Sequence, residues 1–146
     1  METIHRGNAA EAAVLARLIS GGIHVLLPFG NGLAFDLAAA IPPEGRVLRI
    51  QVKSGRIRKG CIRFNTYSTD HGNGQQTYDG RADLIAVHVR SIDAVFMVPV
   101  TDCPRSEAYL RLVHTKNNQR RRIRLAADYS FEKWISSLPR VSRIFG

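Results

Sequence analysis

Three polar residues, Asp36, Gln51 and Lys53, lie within stretches that otherwise have the apolar alternation of β-strands. In residues 48–55 (LRIQVKSG) the amide and the ammonium are two positions apart, so a strand places both side chains on one face. Asp36 has alanines two positions away on either side, which leaves space around its carboxylate. A hairpin-like pairing across the turn at 42–46 would bring the acid, the amide and the ammonium together.

Such a grouping suits the hydrolysis of a phosphodiester. This reaction needs a cation that offsets the charge of the phosphate and acidifies the attacking water, and carboxylate and amide oxygens suit Mg²⁺. A nearby ammonium such as Lys53 can orient or deprotonate that water and stabilise the developing charge; general acid–base help is worth about 10²–10⁴ in rate. A simple ion pair between Asp36 and Lys53 is the structural alternative.

The elements that must position these residues follow from the hydrophobic pattern. Leu15, Leu18 and Ile19 recur at helical spacing and predict a helix over residues 8–20. Alternating or continuous apolar residues predict strands at 23–27, 33–39, 47–53, 61–67, 84–89 and 94–100, a loop over 68–80, and short strands or extended loops at 110–113 and 122–125. A final helix is predicted from about residue 128. This order fits one α/β domain over 1–146, with a mixed sheet of four or five strands flanked by helices.

The positive charge is clustered rather than spread. The chain has a formal net charge of +9, and residues 111–146 contain nine Lys and Arg against two acids. Residues 46–63 contain seven Lys and Arg and no acid. Clusters of this kind indicate a polyanion partner, most often nucleic acid, although a solvated basic surface is the alternative. The cations expected to contact the backbone of a nucleic acid directly after the Lys53 strand are Arg56, Arg58 and Lys59, and those expected to extend the contact are Arg120, Arg121 and Arg122, with Gln119 beside them.

Several other classes of protein are not indicated. Cys61 and Cys103 are far apart and have no CxxC or Cys/His spacing, so neither a zinc site nor a disulfide framework is predicted. Charged residues interrupt the apolar stretches, and residues 1–7 lack the pattern of a signal peptide. We therefore expect a cytoplasmic, nucleoid-facing protein without a membrane span.

The spacing of the acid, the amide and the lysine resembles the signature of the PD-(D/E)XK nuclease superfamily. The segments FD at 35–36 and QVKSG at 51–55 are similar to the branch of group I intron homing endonucleases in which glutamine replaces the second acid. The resemblance extends to GNAAEAAVLARLISGGIHVLLP, YDGRADLIAVHV, AVFMVPV and LRLVHTKNNQRRRIRLAADYSF, and so covers about residues 5–132.

The resemblance implies a restriction-endonuclease-like core and a Mg²⁺-dependent endonuclease of double-stranded DNA, in which Mn²⁺ can substitute. It implies that Glu11, Asp36 and Gln51 form the metal site and that these three and Lys53 are the catalytic residues. It also implies a bacterial or phage-encoded homodimer or homotetramer, because a domain of this size needs a second copy to cut both strands of a near-palindromic target.

Two departures keep other functions open. Phe35 stands where the family has proline, and Gln51 replaces the second acid, which lowers the negative charge available to a metal. A Holliday-junction-resolvase-like nuclease and a catalytically silent DNA-binding module are the alternatives. An RNA-binding protein ranks below them because the chain lacks the glycine- and aromatic-rich signatures of stacking modules.

Two further residues, Glu11 and Asp83, have two interpretations each, and a third, Tyr78, has one. Glu11 either joins the metal site or forms a capping box with Asn8 as the N-cap. Asp83 either has a structural role at the edge of the sheet or a functional one. Tyr78 resembles a recurrent tyrosine of the family and is interpreted as a packing residue.

Overall fold

The computed structural model describes residues 2–30, 32–42, 46–70, 72, 74–113 and 124–139. In these ranges two α-helices, α1 (Thr3–Ser20) and α2 (Phe131–Ser137), accompany ten strands. The strands are β1 (His24–Leu26), β2 (Leu37–Ile41), β3 (Arg46–Ser54), β4 (Arg56–Arg58), β5 (Cys61–Asn65), β6 (Tyr67–Asp70), β7 (Gly74–Thr77), β8 (Leu84–Val89), β9 (Ala94–Pro99) and β10 (Glu107–Arg111). No helix among the described residues is long and apolar enough to cross a membrane.

The central sheet has the order β1-β2-β3-β8-β9. Strands β3 and β8 are parallel, and the other pairs are antiparallel. All six residues of β8 are buried, as its continuous apolar sequence predicts for a central strand. The sheet confirms the predicted mixed α/β architecture.

Each face of this sheet is covered by a different layer. On the helix face, α1 buries Ala10, Val14 and Leu18 against Ile50 and Val52 of β3, and Phe131 of α2 completes this core. Those three α1 residues are four positions apart, so they form one stripe of the helix. On the opposite face, a second sheet of order β10-β5-β4 packs against β8 and β9. The β6–β7 hairpin forms a third, two-stranded sheet.

Three sequence predictions of element boundaries are wrong. Helix α1 begins at Thr3 rather than residue 8, so Asn8 lies inside the helix and the capping box with Glu11 does not form. Strand β2 is Leu37–Ile41 rather than 33–39. The predicted loop over 68–80 contains most of the β6–β7 hairpin, whose polar residues lack an apolar alternation.

The predicted C-terminal elements agree more closely with the structure in the residues that it describes. Helix α2 begins at Phe131, and Ser130 caps it by accepting the Lys133 N–H at 3.1 Å. A 3₁₀ turn, Ala126–Tyr129, occupies the position where that helix was predicted to start. Strand β10 includes residues 110 and 111 of the predicted 110–113 segment, while residues 122 and 123 of the other segment lie outside the described ranges.

Gly55 forms the corner between β3 and β4. Its N–H donates to the His88 carbonyl at 2.9 Å, which brings the corner close to β8. A Cβ atom at this position would lie 2.7 Å from Val87 Cγ1 and 2.9 Å from Ile62 Cγ2. Only glycine therefore allows the strand that carries Lys53 to pass this closely between β5 and β8.

We expect Gly55→Ala to lower the free energy of unfolding by roughly 1–3 kcal/mol, because its methyl group would overlap two core side chains. Urea denaturation with both variants measured side by side tests this. Gly7→Ala is the matched control: its Cβ would meet nothing within 4 Å, so in a helix it should raise the free energy by about 0.5–1 kcal/mol. Equal effects of the two substitutions would contradict the role assigned to the corner.

Candidate active site

The Asp36 carboxylate is fixed at the start of β2. Leu37 pairs with Ile50 of β3, so Asp36 lies one position earlier, beside Gln51. The Asp36 N–H donates to the Ile50 carbonyl, and its Oδ2 accepts the Val52 N–H, both at 2.9 Å. The carboxylate is therefore held against the backbone of β3, between the two polar positions of the motif.

Lys53 is half-buried on the face of β3 that lies opposite the helices. Its Nζ donates to the Tyr67 carbonyl at 2.9 Å and lies 5.1 Å from the centroid of the Tyr78 ring. Burial lowers the pKa of Lys53 to about 8, although the charge of Asp36 acts in the opposite direction. Among the described residues Asp36 belongs to no ion pair within 4.0 Å, so the simple Asp36–Lys53 contact pair is not what the structure contains.

Two carboxylates share this region. Burial raises the pKa of Asp36, while the Val52 N–H and the charge of Lys53 act to lower it. Glu11 extends from α1, and the pKa of Glu11 is raised by partial burial and by the negative charge of Asp36. The charge of Asp36 therefore acts on Glu11, and the two carboxylates lie near the point where α1, β2 and β3 meet.

Gln51 supplies an amide beside the acids. Its Nε2 donates to the Val52 carbonyl at 3.2 Å, and its Oε1 makes no hydrogen bond within the described part of the chain. In that part, no three His, Cys, Asp or Glu side chains are grouped so that they could hold a metal ion. A cation at this site would thus depend on the amide oxygen as well as on the carboxylates of Glu11 and Asp36.

Tyr78 has a larger part in the site than its interpretation as packing allowed. The residue is only 3% exposed, and its ring faces both Lys53 and the guanidinium of Arg81. Burial, with the charge of Asp36, raises the pKa of Tyr78 to about 12, so the phenol stays neutral. In the sequence, Tyr78 could be identified as an aromatic residue that shortly precedes β8. The other contact of Lys53 is the Tyr67 carbonyl, a backbone atom that no sequence motif can identify.

Asp83 has a structural role. Its Oδ2 accepts the Arg49 N–H at 2.7 Å and Nε at 3.1 Å, and its Oδ1 accepts Nη2 at 3.2 Å. The same guanidinium donates to the Gly80 carbonyl at 3.0 Å. The hydrogen bonds and charge of Arg49 hold the pKa of Asp83 below its usual value, and the pair ties the start of β8 to β3.

The structure describes the first group of predicted DNA contacts but not the second. Arg56 and Arg58 are exposed on β4, and Lys59 is exposed in the turn after it, with a left-handed φ of 50°. A hollow of about 330 Å³, which we call the β4 hollow, is lined by Ser54, Arg56 and Arg58, by residues of β5 and by Glu107 of β10. It lies at the end of the strand that carries Lys53. Gln119, Arg120, Arg121 and Arg122 lie outside the described residues.

The mixed sheet, with an acid directly before β2 and an amide and a lysine on β3, defines the class of restriction-endonuclease-like nucleases. The sequence model of the PD-(D/E)XK endonuclease family matches residues 1–132, and the chain belongs to this family. Its structure is similar to that of a bacterial homing endonuclease, I-Ssp6803I, with a TM-score of 0.68 and 25% sequence identity over 92% of this chain and 91% of that one. No curated protein matches the chain in sequence. The comparisons confirm the predicted family and fold, and they support a DNA nuclease.

The buried lysine predicts a specific pH dependence of stability. Burial lowers the pKa of Lys53 in the folded protein to about 8, from an ordinary value of 10.5. Between these pH values the unfolded chain binds more protons, so the free energy of unfolding rises with pH. Lys53→Met removes this dependence. We expect it to raise the free energy of unfolding by about 1–3 kcal/mol at pH 7, an advantage that shrinks as the pH rises from 8 to 10.

Urea denaturation in EDTA at several pH values measures this difference. Lys133→Met is the matched control, because Lys133 is exposed and pairs with Asp128 at 3.2 Å on the surface. The Lys133 variant shows what the loss of an exposed lysine does to stability over the same range of pH. If the difference between Lys53→Met and the parent protein does not shrink from pH 8 to 10, the burial of a charged lysine at the site is contradicted.

Proposed function

We propose that the protein is a Mg²⁺-dependent endonuclease that hydrolyses phosphodiester bonds at a specific site in double-stranded DNA, in the manner of a homing enzyme. The observation that carries the proposal is the Asp36 carboxylate, held by the Val52 N–H beside Gln51, with the half-buried Lys53 on the same strand. The family and the similarity to a bacterial homing endonuclease support it.

The donor set fits a hard cation. Glu11 and Asp36 offer carboxylates and Gln51 offers an amide oxygen, while water and the substrate phosphate would complete the six oxygens that Mg²⁺ prefers. Burial raises the pKa values of Glu11 and Asp36, and a bound cation would favour their charged forms. Mn²⁺ suits the same oxygen ligands. When bound, such an ion would acidify the attacking water and offset the charge of the phosphate.

Lys53 would act on the attacking water and on the phosphate. With a pKa of about 8, part of the population is neutral near physiological pH and can accept a proton from water. The charged form can stabilise the negative charge that develops on the phosphate. The Tyr67 carbonyl and the Tyr78 ring would hold the amine in position for either role.

Basic and polar residues next to the site would bind the DNA backbone. Arg56, Arg58 and Lys59 would contact backbone phosphates beside the scissile bond, and Gln119, Arg120, Arg121 and Arg122 belong to the same proposal as an extension of the contact. Backbone contacts supply affinity and register rather than sequence information. If about six phosphates are neutralised, the slope of log affinity against log salt should be near −5.

In this proposal the protein is a single nuclease domain over residues 1–146 with a basic C-terminal segment, 111–146. It would act as a homodimer or homotetramer in the bacterial cytoplasm, where the nucleoid or phage DNA is accessible. Two copies related by a two-fold axis would cut the two strands of a near-palindromic target.

A catalytically silent DNA-binding module is the second candidate. The observation that favours it is the replacement of the second acid by Gln51, which leaves no group of three acidic or histidine ligands among the described residues. The basic surface would then bind DNA without cutting it.

Cleavage of a supercoiled plasmid pool in Mg²⁺ or EDTA separates the candidates. We expect discrete cuts in Mg²⁺ only, and a loss of about 10²–10⁴-fold in rate for Asp36→Ala and for Lys53→Ala. Asp128→Ala and Lys133→Ala are the matched controls, since they remove the acid and the lysine of an exposed ion pair in the 3₁₀ turn and α2, and they should cut like the parent protein.

Two results would contradict the leading proposal. Salt-sensitive binding without cutting by any form would favour the silent module. Cutting of branched but not linear duplexes would instead identify a structure-specific nuclease.

A further inference from the structure

A second basic cavity lies at the carboxyl ends of β3 and β8. This cavity, which we call the α1 cleft, has a volume of about 580 Å³. Its polar lining consists of Arg6, Ser54, Arg56, His88, Arg90 and Ser91. Crevices beyond the carboxyl ends of sheet strands are frequent ligand sites in α/β proteins.

The α1 cleft opens on the face of the sheet opposite the one that carries Lys53. Ser54 and His88 follow Val52 and Ala86 by two positions, and those two residues belong to the core beneath α1. Arg6 projects from the same helix. The cleft is therefore not part of the acid, amide and lysine grouping.

The charged side chains that line it include three arginines, Arg6, Arg56 and Arg90. None of the residues that line the cleft is an acid, and within the described ranges neither Arg6 nor Arg56 has a carboxylate partner. Other arginines of the fold do, such as Arg49 with Asp83 and Arg63 with Glu107. Cations that are concentrated in a concave surface and not neutralised attract an anion.

Polar groups suited to an oxyanion accompany these cations. His88 is only 7% exposed yet borders the cleft, and its Nε2 lies 3.6 Å from Asp93 Oδ1, a carboxylate that also pairs with Arg17. The hydroxyls of Ser54 and Ser91 make no hydrogen bond to other described residues. Guanidinium, imidazole and hydroxyl donors around one cavity match the oxygens of a phosphate.

The α1 cleft and the β4 hollow adjoin each other at Arg56, because Ser54 and Arg56 line both cavities. A DNA strand that passes the end of β3 would meet basic groups on both sides of Arg56. The second cavity thus lies where the backbone would continue beyond the proposed site of cleavage.

We propose that the α1 cleft binds a backbone phosphate of the DNA strand, on the far side of Arg56 from the scissile bond. This inference rests on the proposed function. A free phosphate has the same chemistry, so the experiment has one arm for DNA and one for inorganic phosphate.

The first arm measures duplex affinity against KCl concentration in EDTA, for Arg6→Gln, Arg90→Gln and the double variant. We expect the double variant to bind about 5–30-fold more weakly at intermediate salt, with a salt slope that is smaller in magnitude by about 1–2. Arg6→Lys keeps the charge and should recover most of the slope. Arg105→Gln is the control, because Arg105 is exposed and lines neither cavity; it should bind like the parent protein.

The second arm titrates inorganic phosphate into the parent protein and the double variant, followed by NMR of the His88 ring. Phosphate binding that depends on Arg6 and Arg90, with duplex affinity unchanged, would overturn the assignment to DNA in favour of a free phosphate. Equal duplex affinity and slope in all variants would also overturn it. If the parent protein binds no duplex at all, the proposed function fails and this inference fails with it. If the parent protein binds duplex and the variants bind it equally well, only this inference is rejected. Thermal melting of each variant identifies any loss of folding, and Arg6→Lys then provides the comparison.

Discussion

The pairing of β3 on both of its edges is the constraint on which the rest of the structure depends. Parallel pairing with β8 and antiparallel pairing with β2 fix its register, so Ile50 and Val52 must face the helices. Gln51 and Lys53 must then face the second sheet. The same pairing lets the Val52 N–H reach Asp36, and therefore the hydrogen bonding of one strand sets the geometry of the whole grouping.

This geometry is electrostatically unfavourable to the folded chain alone. Two carboxylates have raised pKa values and an adjacent lysine has a lowered one, mainly because burial opposes each charge. A fold selected only for stability would replace these groups with apolar side chains. A cluster of buried charged side chains within a sheet that otherwise has an apolar core is typical of a functional site.

Much of this arrangement was predictable from local pattern. The alternation in β3, the apolar run of β8 and the acid, amide and lysine spacing each depend on a few neighbouring residues, and the fold confirms the sheet that they predict. The start of α1 was missed because Thr3–Gly7 has no apolar stripe, and the β6–β7 hairpin because its residues are polar. The Tyr67 carbonyl and the α1 cleft arise from segments far apart in sequence, so only tertiary structure brings them to their positions.

The contact between Lys53 and the Tyr67 carbonyl also bears on how the protein can change over time. A main-chain acceptor persists whatever side chain its residue carries, provided that the strand keeps its path. Side chains along β6 and β7 are therefore free to diversify without removing the partner of the lysine. Many side chains of this hairpin could be substituted, in evolution or in the laboratory, and the Lys53 amine would keep the same orientation.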